Sequence, residues 1–342
     1  MSFKRLDTED ITISAESIVA PAWTGQATTL TSFVTASSQA TVNRFYYDIY
    51  QTASNAAGAA VQFSLAYGNS KGSGSQNLTL TENGKSPSSI IYGQYRTLIN
   101  GDENTNFTFG DITPNSVFVI SVNRGRYKEK LLPGTFNLKL TSGSTTINLT
   151  DNSQVLSTIS YTDSGRVYDI VSGSNGTPFT AVNALGYTKY SGSYGKFLPD
   201  VGVIILNAEA LKAPAGTTGG GLGMTTVNET SAGVLTSSPN LSAFYNILSA
   251  GASFTLQSEE TITSDYVFVR VRNSEYNYST NPSNITGSGE LLHNIMINSP
   301  QAYVTTVGLY NDNNDLLGVA KLSRPLLKDF TKEALIRIKL DY

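Results

Sequence analysis

The sequence predicts a mainly β fold, built as one or two antiparallel β-sandwich-like units with a few short helices and an extended N-terminal arm. Apolar and polar residues alternate over runs of about four to eight residues, which is the period of a half-buried strand. Helix signals are few and short. Clusters of Gly, Asn, Asp and Ser separate the runs, as is typical of the turns in antiparallel sheets. Together these three observations favour the mainly β class.

Residues 1–28 are predicted to form the extended arm, because their pattern lacks a helical period. Pro21 and Trp23, the only tryptophan, lie near the end of this arm. Trp23 is a candidate contact residue that fixes the arm either to its own core or to a neighbouring chain. Its own core is the favoured alternative, since large aromatic side chains are mostly buried.

Residues 29–132 form a second segment, which is rich in strands. Residues 44–53 (RFYYDIYQTA) and 60–68 (AVQFSLAYG) have the aromatic and β-branched composition of strands. Residues 117–122 (VFVISV) are apolar enough to form a buried strand. Residues 88–99 (SSIIYGQYRTLI) fit either a short helix or a strand, and the pattern alone leaves both open.

The next two segments are residues 133–200, a β-hairpin-rich region that is a candidate insertion, and residues 201–238. Residues 134–150 (GTFNLKLTSGSTTINLT) predict a hairpin that turns around Gly143. Residues 201–207 (VGVIILN) predict a strand buried on both faces. A short helix capped by Asn207 and a glycine-rich loop follow this strand.

Residues 239–342 are predicted to be a C-terminal β-rich region with one short helix. Pro239 at the first helical position and Gly251 beyond the end bound that helix. The last ten residues, EALIRIKLDY, alternate as a strand does. A terminal strand completes either its own sheet or the edge of a neighbour's sheet.

A polar stretch, NDNND at residues 311–315, lies between two apolar runs near the C-terminus. Asn311, Asn313 and Asp315 alternate as calcium ligands do, but Leu316 stands where such a loop needs glycine. Asn and Asp also favour tight turns, because they tolerate a left-handed backbone and bond their own chain. A hairpin turn is therefore the favoured interpretation over a metal site.

The bulk composition excludes several classes of protein. The 342 residues have a net charge of -3 and no cysteine. Disulfides and thiolate zinc sites are thus excluded, and no overall charge attracts nucleic acid. The start has no apolar segment typical of a secretory signal, and no run approaches the roughly 18 apolar residues of a membrane span. The lack of cysteine fits folding in a reducing cytoplasm, and we expect no membrane span and no nucleic acid partner.

No set of residues predicts an active site, a metal site or a cofactor, so we expect a protein that is not an enzyme. His293 is the only histidine, and we expect it to be a packed or hydrogen-bonded structural residue. Glu259 and Glu260 are adjacent, so in a strand they point to opposite faces and cannot act together. The glycine-rich residues 216–224 lack the Lys-Ser/Thr of a phosphate-binding loop, and a surface loop is the favoured interpretation.

Contacts with other chains are the predicted chemistry instead. The 19 tyrosines suit protein interfaces, since each has an apolar ring and a polar tip. A basic stretch after the buried strand contacts either water or acidic groups of a partner. The candidate interface residues are Trp23, Arg124, Arg126, Lys128, Lys130, Gly219, Gly220, Gly221, Tyr276 and Tyr278.

Four segments resemble virion structural proteins of large contractile-tailed bacteriophages, especially the T4-like phages of cyanobacteria. They are FKRLDTEDITISAESI (residues 3–18), RYKEKLLPGTFNLKL (126–140), FVRVRNSEYNYSTNPS (268–283) and residues 303–342, which begin YVTTVGLYNDNND. The similarity covers most of the chain and is least in residues 142–194. It implies a structural protein in the virion tail, in the baseplate or its wedges, whose partners are other virion proteins and copies of itself. No catalytic residue is implied.

The leading functional hypothesis is therefore a structural component of a bacteriophage contractile tail that acts through subunit contacts. A receptor- or carbohydrate-binding tail fibre protein is the alternative, because exposed tyrosines and Asn/Asp loops suit sugar contacts. The chain lacks the fixed repeat of many fibres. A polysaccharide depolymerase is a third hypothesis, which requires two acidic residues that face each other in a groove.

Overall fold

The computed structural model describes residues 4–36, 46–72, 86–179, 193–214, 220–225, 239–279 and 281–341. The strands of this part of the chain, β1 to β19 in chain order, are Ile11–Pro21, Thr29–Leu30, Val34–Ala36, Tyr46–Tyr50, Val61–Asn69, Ser116–Val122, Lys130–Leu131, Asn137–Ser142, Thr145–Asp151, Ser160–Thr162, Gly165–Ser174, Thr177–Pro178, Gly195–Leu198, Val203–Asn207, Ser253–Thr255, Gln257–Val271, Gln301–Tyr310, Leu316–Asp329 and Ala334–Asp341.

The helices are few and short. In chain order, α1 to α4 are Pro87–Asn100, Ala208–Lys212, Pro239–Ser249 and Ile295–Asn298. Single 3-10 turns occur at Thr8–Asp10, Thr24–Gln26, Arg124–Arg126 and Pro282–Asn284. The prediction of a mainly β, antiparallel fold with a few short helices is confirmed. Among the described residues, no helix is both long and apolar enough to cross a lipid bilayer.

The chain divides into two compact units. The smaller consists of Met1–Ser17 and Thr261–Tyr342, and the larger is Ile18–Glu260. The chain passes between them within β1 and within β16. These units group the residues differently from the five segments expected from the sequence, because the two ends of the chain belong to one unit.

One long antiparallel sheet dominates the larger unit, with the strand order β2-β15-β8-β9-β11-β13-β14-β6-β5-β4-β3. β14, predicted as a strand buried on both faces, lies between β13 and β6, and all of its residues are buried. The predicted hairpin is β8–β9, whose register runs from Asn137 paired with Thr150 to Ser142 paired with Thr145.

This long sheet folds over its own core. β15 and β5 lie seven positions apart in the strand order. In a flat sheet they would be separated by about 33 Å, at roughly 4.8 Å per strand. Yet the ring centroids of Phe254 on β15 and Phe63 on β5 are only 5.6 Å apart. The sheet therefore curls so that side chains from both of its ends share one core, as in a sandwich.

Helices cover both faces of the curled sheet. Side-chain periodicity predicts that Leu241, Phe244, Tyr245 and Leu248 share one apolar face of α3. Of these, Leu241, Phe244 and Leu248 are buried and Tyr245 is partly buried against the core, and the Phe244 ring stacks on Phe118 with centroids 4.6 Å apart. α1 settles the open choice for residues 88–99 in favour of a helix. It approaches β5 closely at Gly68, where a Cβ atom would lie 3.0 Å from the Tyr92 backbone nitrogen.

The smaller unit has two thin layers. One is the sheet β1-β16-β19, in which β16 pairs with β19 from Ser264–Asp341 to Val271–Ala334. The other is the hairpin β17–β18, which forms a two-stranded sheet. The C-terminal strand β19 thus completes its own sheet. The predicted arm is extended, but it too pairs within its own chain, as β1.

Candidate functional site

The large apolar side chains that remain exposed are concentrated in the smaller unit. The larger unit is more than twice as long, yet it exposes fewer of them among the described residues. In the smaller unit the most exposed are Ile13, Tyr278, Ile297, Tyr303, Leu317, Val319 and Leu335. Exposed single apolar residues are ordinary, but a concentration of them marks an interaction surface.

The core of the smaller unit explains this distribution. Val267, Ile336 and Ile338 are its buried centre, with partly buried side chains from β17 and β18 around them. Because strand residues alternate between faces, each of the two layers commits one face to this core. Leu335 on β19, for example, points away from the core and is 62% exposed. The apolar side chains of the outward faces are therefore left at the surface.

The hairpin β17–β18 is apolar on both faces. Val307 and Leu309 pack against the core of the smaller unit. Tyr310, Leu317 and Val319 are exposed. We name the exposed side chains of Tyr310, Leu316, Leu317 and Val319 the hairpin-tip patch, since they lie at the turn end of the two strands.

Two features order the hairpin-tip patch. A register shift between the Leu309 and Tyr310 pairs leaves Leu317 as the extra residue of a bulge, and its side chain is 70% exposed. The Tyr310 ring covers Gly308, where a Cβ atom would lie 2.9 Å from a ring carbon. A larger residue at position 308 would displace this ring from its place over the backbone.

The polar stretch at residues 311–315 is a hairpin turn, as predicted. The Asn311 backbone N–H donates to the Asp315 carbonyl at 3.1 Å. The Asn311 side-chain oxygen accepts from the backbone N–H groups of Asn313, at 3.0 Å, and Asp315, at 2.8 Å. Asn314 has a φ of 63°, a left-handed conformation that asparagine tolerates. These side chains are thus occupied in closing the turn.

Lys328 fixes the loop that carries the two candidate tyrosines. It is fully buried, and its Nζ donates to the Asn277 side-chain oxygen at 2.7 Å and to the Asn273 carbonyl at 3.0 Å. Tyr276 lies half-buried in this loop with a φ of 54°, and Tyr278 is 69% exposed. Of these two predicted interface residues, Tyr278 is the one that the fold presents to solvent.

Another exposed apolar group, apart from the hairpin-tip patch, lies in the segment between β16 and β17. Leu291, Leu292, Ile295 and Ile297 are each about half exposed or more, around the single turn of α4. His293 lies within this group and is itself exposed. Of the two alternatives predicted for His293, packed or hydrogen-bonded, the packed one is therefore wrong, because the apolar neighbours that suggested burial are themselves at the surface.

In the basic stretch of the larger unit, residues 124–130, both lysines form ion pairs within their own chain. Lys128 pairs with Glu260 at 2.6 Å, and Lys130 lies 3.6 Å from Glu259. The two glutamates are adjacent in β16, and each meets a different lysine. They therefore act as separate ion pairs.

The two arginines of this stretch behave differently from its lysines. Arg124 stacks over the Tyr127 ring, 4.5 Å from its centroid, and donates to the Tyr127 carbonyl at 2.8 Å. Burial raises the pKa of the Tyr127 hydroxyl, against the opposing effect of the Arg124 charge. Arg126 forms no ion pair with any described residue, and its Nη1 donates to the Thr24 hydroxyl at 2.8 Å.

Three of the candidate interface residues are buried in their own core, which for Trp23 is the favoured alternative. Trp23 is 2% exposed, and its indole N–H donates to the Phe254 carbonyl at 2.8 Å. Gly220 accepts a hydrogen bond from the Tyr194 hydroxyl, and Gly221 packs against the Ala213 carbonyl. None of the three is therefore accessible to a partner in this structure. Gly219 lies outside the described residues.

Titratable side chains do not converge on a metal-binding arrangement within the described ranges. No group of three or more His, Cys, Asp or Glu side chains there could hold a metal ion. Asp200 accepts from both the backbone and the side chain of Arg166, with Nη2 2.7 Å from Oδ1. Burial raises the pKa of Asp200, but the hydrogen bonds and charge of Arg166 outweigh it, so that this pKa is lowered.

The sequence contains a pattern that predicts the exposed apolar side chains of β17 and β18, although it interrupts the simple alternation of a strand. β18 contains two adjacent apolar pairs, Leu316-Leu317 and Leu326-Leu327, and β17 contains Tyr303-Val304. Adjacent strand residues point to opposite faces, so each pair places an apolar side chain outward. In a hairpin with only one covered face, such pairs predict an exposed apolar surface.

Comparison with protein-family models, with curated protein sequences and with solved structures finds no match to this chain.

Proposed function

We propose that this chain is a structural subunit of a bacteriophage particle, placed in the baseplate or wedge of a contractile tail, whose smaller unit binds a neighbouring subunit. The observation that carries the proposal is the concentration of exposed large apolar side chains on that unit. The four segments that resemble virion structural proteins support the same function, and three of them, residues 3–18, 268–283 and 303–342, lie in the smaller unit apart from Ile18.

The hairpin-tip patch is the centre of the proposed contact. Burying a large apolar side chain is worth about 1.5–3 kcal/mol relative to leaving it exposed. The four side chains of the patch are 45–70% exposed, so covering them supplies only part of this value each, roughly 3–7 kcal/mol in total, which is at the lower end of the 4–15 kcal/mol cost of association. The patch alone thus gives a marginal contact. A contact that extends along the hairpin to its open end, where Tyr278 and the side chains around α4 lie, would supply the further area that a stable subunit interface requires.

The hairpin also offers backbone groups to a neighbour. β17 and β18 pair only with each other among the described residues, so each leaves one edge unpaired. An extended segment of a neighbouring subunit can add to such an edge, with main-chain hydrogen bonds for affinity and side-chain pockets for specificity. Exposed apolar edges favour association in water, which fits a protein that functions in an assembly.

The first test is direct. In a cryo-electron microscopy map of a phage particle whose genome encodes this chain, we expect density for the chain, with the hairpin-tip patch covered by another subunit. A map of a complete particle without this chain would overturn the proposal.

The second test separates the patch from the fold. Leu317→Asp places a charge at the most exposed residue of the patch, so we expect normal folding and loss of incorporation into particles. Ser323→Asp is the matched control, because it adds the same charge at an exposed polar position of the same strand. Equal incorporation of wild type and Leu317→Asp would contradict the assignment of this patch.

A further inference from the structure

A small cleft of the larger unit places an arginine beside the only tryptophan. The cleft has a volume of about 250 Å³, and residues 20–26 and 125–126 line it. Its walls are the end of β1, the turn Thr24–Gln26 and the turn Arg124–Arg126. These turns lie far apart in sequence and meet through a hydrogen bond between Arg126 and Thr24.

Local hydrogen bonds fix the direction of Arg126. The Asn123 side chain accepts from the Gly125 backbone N–H at 2.9 Å and so caps the turn that carries the arginine. Arg126 is half-buried, and its Nε is buried with no hydrogen-bond partner among the described residues. A buried N–H of a guanidinium without a partner is unusual, and a bound ion is one of its ordinary explanations.

Thr24 presents a donor to the same cleft. Its hydroxyl oxygen accepts from Arg126 at 2.8 Å and from the Gln62 side-chain amide at 2.5 Å. A hydroxyl oxygen has two lone pairs, so both are used and its O–H remains to donate. The adjacent Gly25 and Gln26 have φ angles of 72° and 62°. Turns of this kind bring backbone N–H groups together and can form anion-binding concavities.

Among the residues that the structure describes, no carboxylate lines the cleft, whereas the nearby Lys128 and Lys130 are paired with Glu260 and Glu259. The positive charge of the Arg126 guanidinium therefore has no negative partner among the described residues, and the Thr24 hydroxyl is a further donor beside it. A guanidinium recognises a planar carboxylate through two parallel N–H···O bonds, and one positive charge matches one negative charge. We propose that this cleft binds a single carboxylate group, held by Arg126 and Thr24.

This inference is independent of the proposed assembly function, because it concerns the larger unit alone. The carboxylate belongs either to a small organic acid or to an Asp or Glu side chain of another protein. Sodium acetate is the probe for the shared chemistry. A glutamate-containing tripeptide with blocked ends, compared with its glutamine counterpart, separates the two sources.

Trp23 is the natural reporter, because it is the only tryptophan and lines the cleft. We would titrate the full chain with acetate at constant ionic strength, replacing chloride, and record tryptophan fluorescence and the NMR shift of the indole N–H. We expect a saturable change in wild type. Arg126→Gln should weaken acetate binding by about tenfold or more, which is about 1.4 kcal/mol. Arg126→Lys keeps the charge but lacks the fork, and we expect an intermediate loss.

Arg124→Gln is the matched control. It removes the same charge two residues before Arg126, and the Arg124 guanidinium already donates to the Tyr127 carbonyl. We expect its acetate affinity to stay within about twofold of wild type, well inside one 1.4 kcal/mol step. Three outcomes would overturn the proposal: no saturable change in wild type, equal weakening by Arg124→Gln and Arg126→Gln, or tighter binding of inorganic phosphate than of acetate. If circular dichroism shows that Arg126→Gln does not fold, the acetate affinity of Arg126→Lys alone tests the proposal.

Discussion

Replacement of Lys328 by methionine tests how a buried charge stabilises the smaller unit. Lys328 is fully buried, and its Nζ has three acceptors: the Asn277 side-chain oxygen at 2.7 Å, the Asp329 carbonyl at 2.9 Å and the Asn273 carbonyl at 3.0 Å. Methionine keeps a long unbranched side chain, so the substitution removes the ammonium group without opening a large cavity.

The neighbouring hydrogen bonds set the magnitude. After the substitution the Asn273 carbonyl still accepts from the Asn277 side-chain N–H, and the Asp329 carbonyl still accepts from the Lys332 N–H. The Asn277 side-chain oxygen is the acceptor that loses its buried donor, at a cost of about 1–3 kcal/mol. We therefore expect Lys328→Met to lower the free energy of unfolding by about 1–3 kcal/mol. Loss of one partner from a buried ion pair would instead cost about 3–5 kcal/mol.

Urea unfolding and amide hydrogen exchange measure this effect. Exchange in β18 and in residues 272–278 reports on the smaller unit by itself, so it should accelerate there. Lys321→Met is the control, because Lys321 is exposed on the same strand, and we expect a change within about 0.5 kcal/mol. A Lys328→Met chain as stable as wild type would refute the argument that the ammonium is a structural hydrogen-bond donor.

Three further substitutions test the larger unit. Gly221→Ala places a Cβ atom against the Ala213 carbonyl, so we expect the free energy of unfolding in urea to fall by about 1–3 kcal/mol. Gly93→Ala is the control: it adds a Cβ atom in open space on α1 and should raise the free energy of unfolding by up to about 1 kcal/mol. Equal effects of the two alanines would contradict the close packing at residue 221. Burial raises the pKa of the Asp151 carboxyl, so its contribution to stability is fully present below its ordinary value of 3.8 and is lost as the pH rises through the raised value. In wild type, Asp151 should make stability fall as the pH rises from 3.8 through the raised pKa of this carboxyl. Asp151→Asn should abolish this fall, and an unchanged pH profile would refute the assignment.

Local patterns predicted most elements of the fold. The alternation in residues 334–341 and the apolar face of α3 both follow from side-chain periodicity, and both hold in the structure. Curling of the long sheet depends instead on contacts such as that between Phe63 and Phe254, which no local pattern contains. For residues 220–224, the described part of the glycine-rich segment, the prediction of a surface loop is wrong for a related reason. Leu222 and Met224 are buried in the core, although the neighbouring glycines are typical of a surface loop.

The candidate interface was predicted less well than the fold, because composition does not determine which side chains point outward. Tyrosine content predicts contact surfaces without placing them: Tyr92 and Tyr194 are almost completely buried, whereas Tyr278 and Tyr303 are exposed. Burial of a tyrosine depends on the layer above it, which is a tertiary property. The adjacent apolar pairs of β17 and β18 would have been a better guide, since they report the outward face of a hairpin directly.

The physical case for assembly depends on how the smaller unit is built. An isolated two-stranded hairpin is marginally stable in water, and β17–β18 gains its support from packing on one face of a narrow sheet. A polar outward face would give this unit greater solubility at no cost to that packing. The outward face nevertheless has Tyr303, Leu317 and Val319, while Lys321 and Arg324 keep charges on the same hairpin. Apolar side chains between scattered charges are the composition of an interface that must stay soluble until a partner covers it. Covering this face therefore stabilises the hairpin as well as the contact, so hydrogen exchange in β17 and β18 should slow upon assembly.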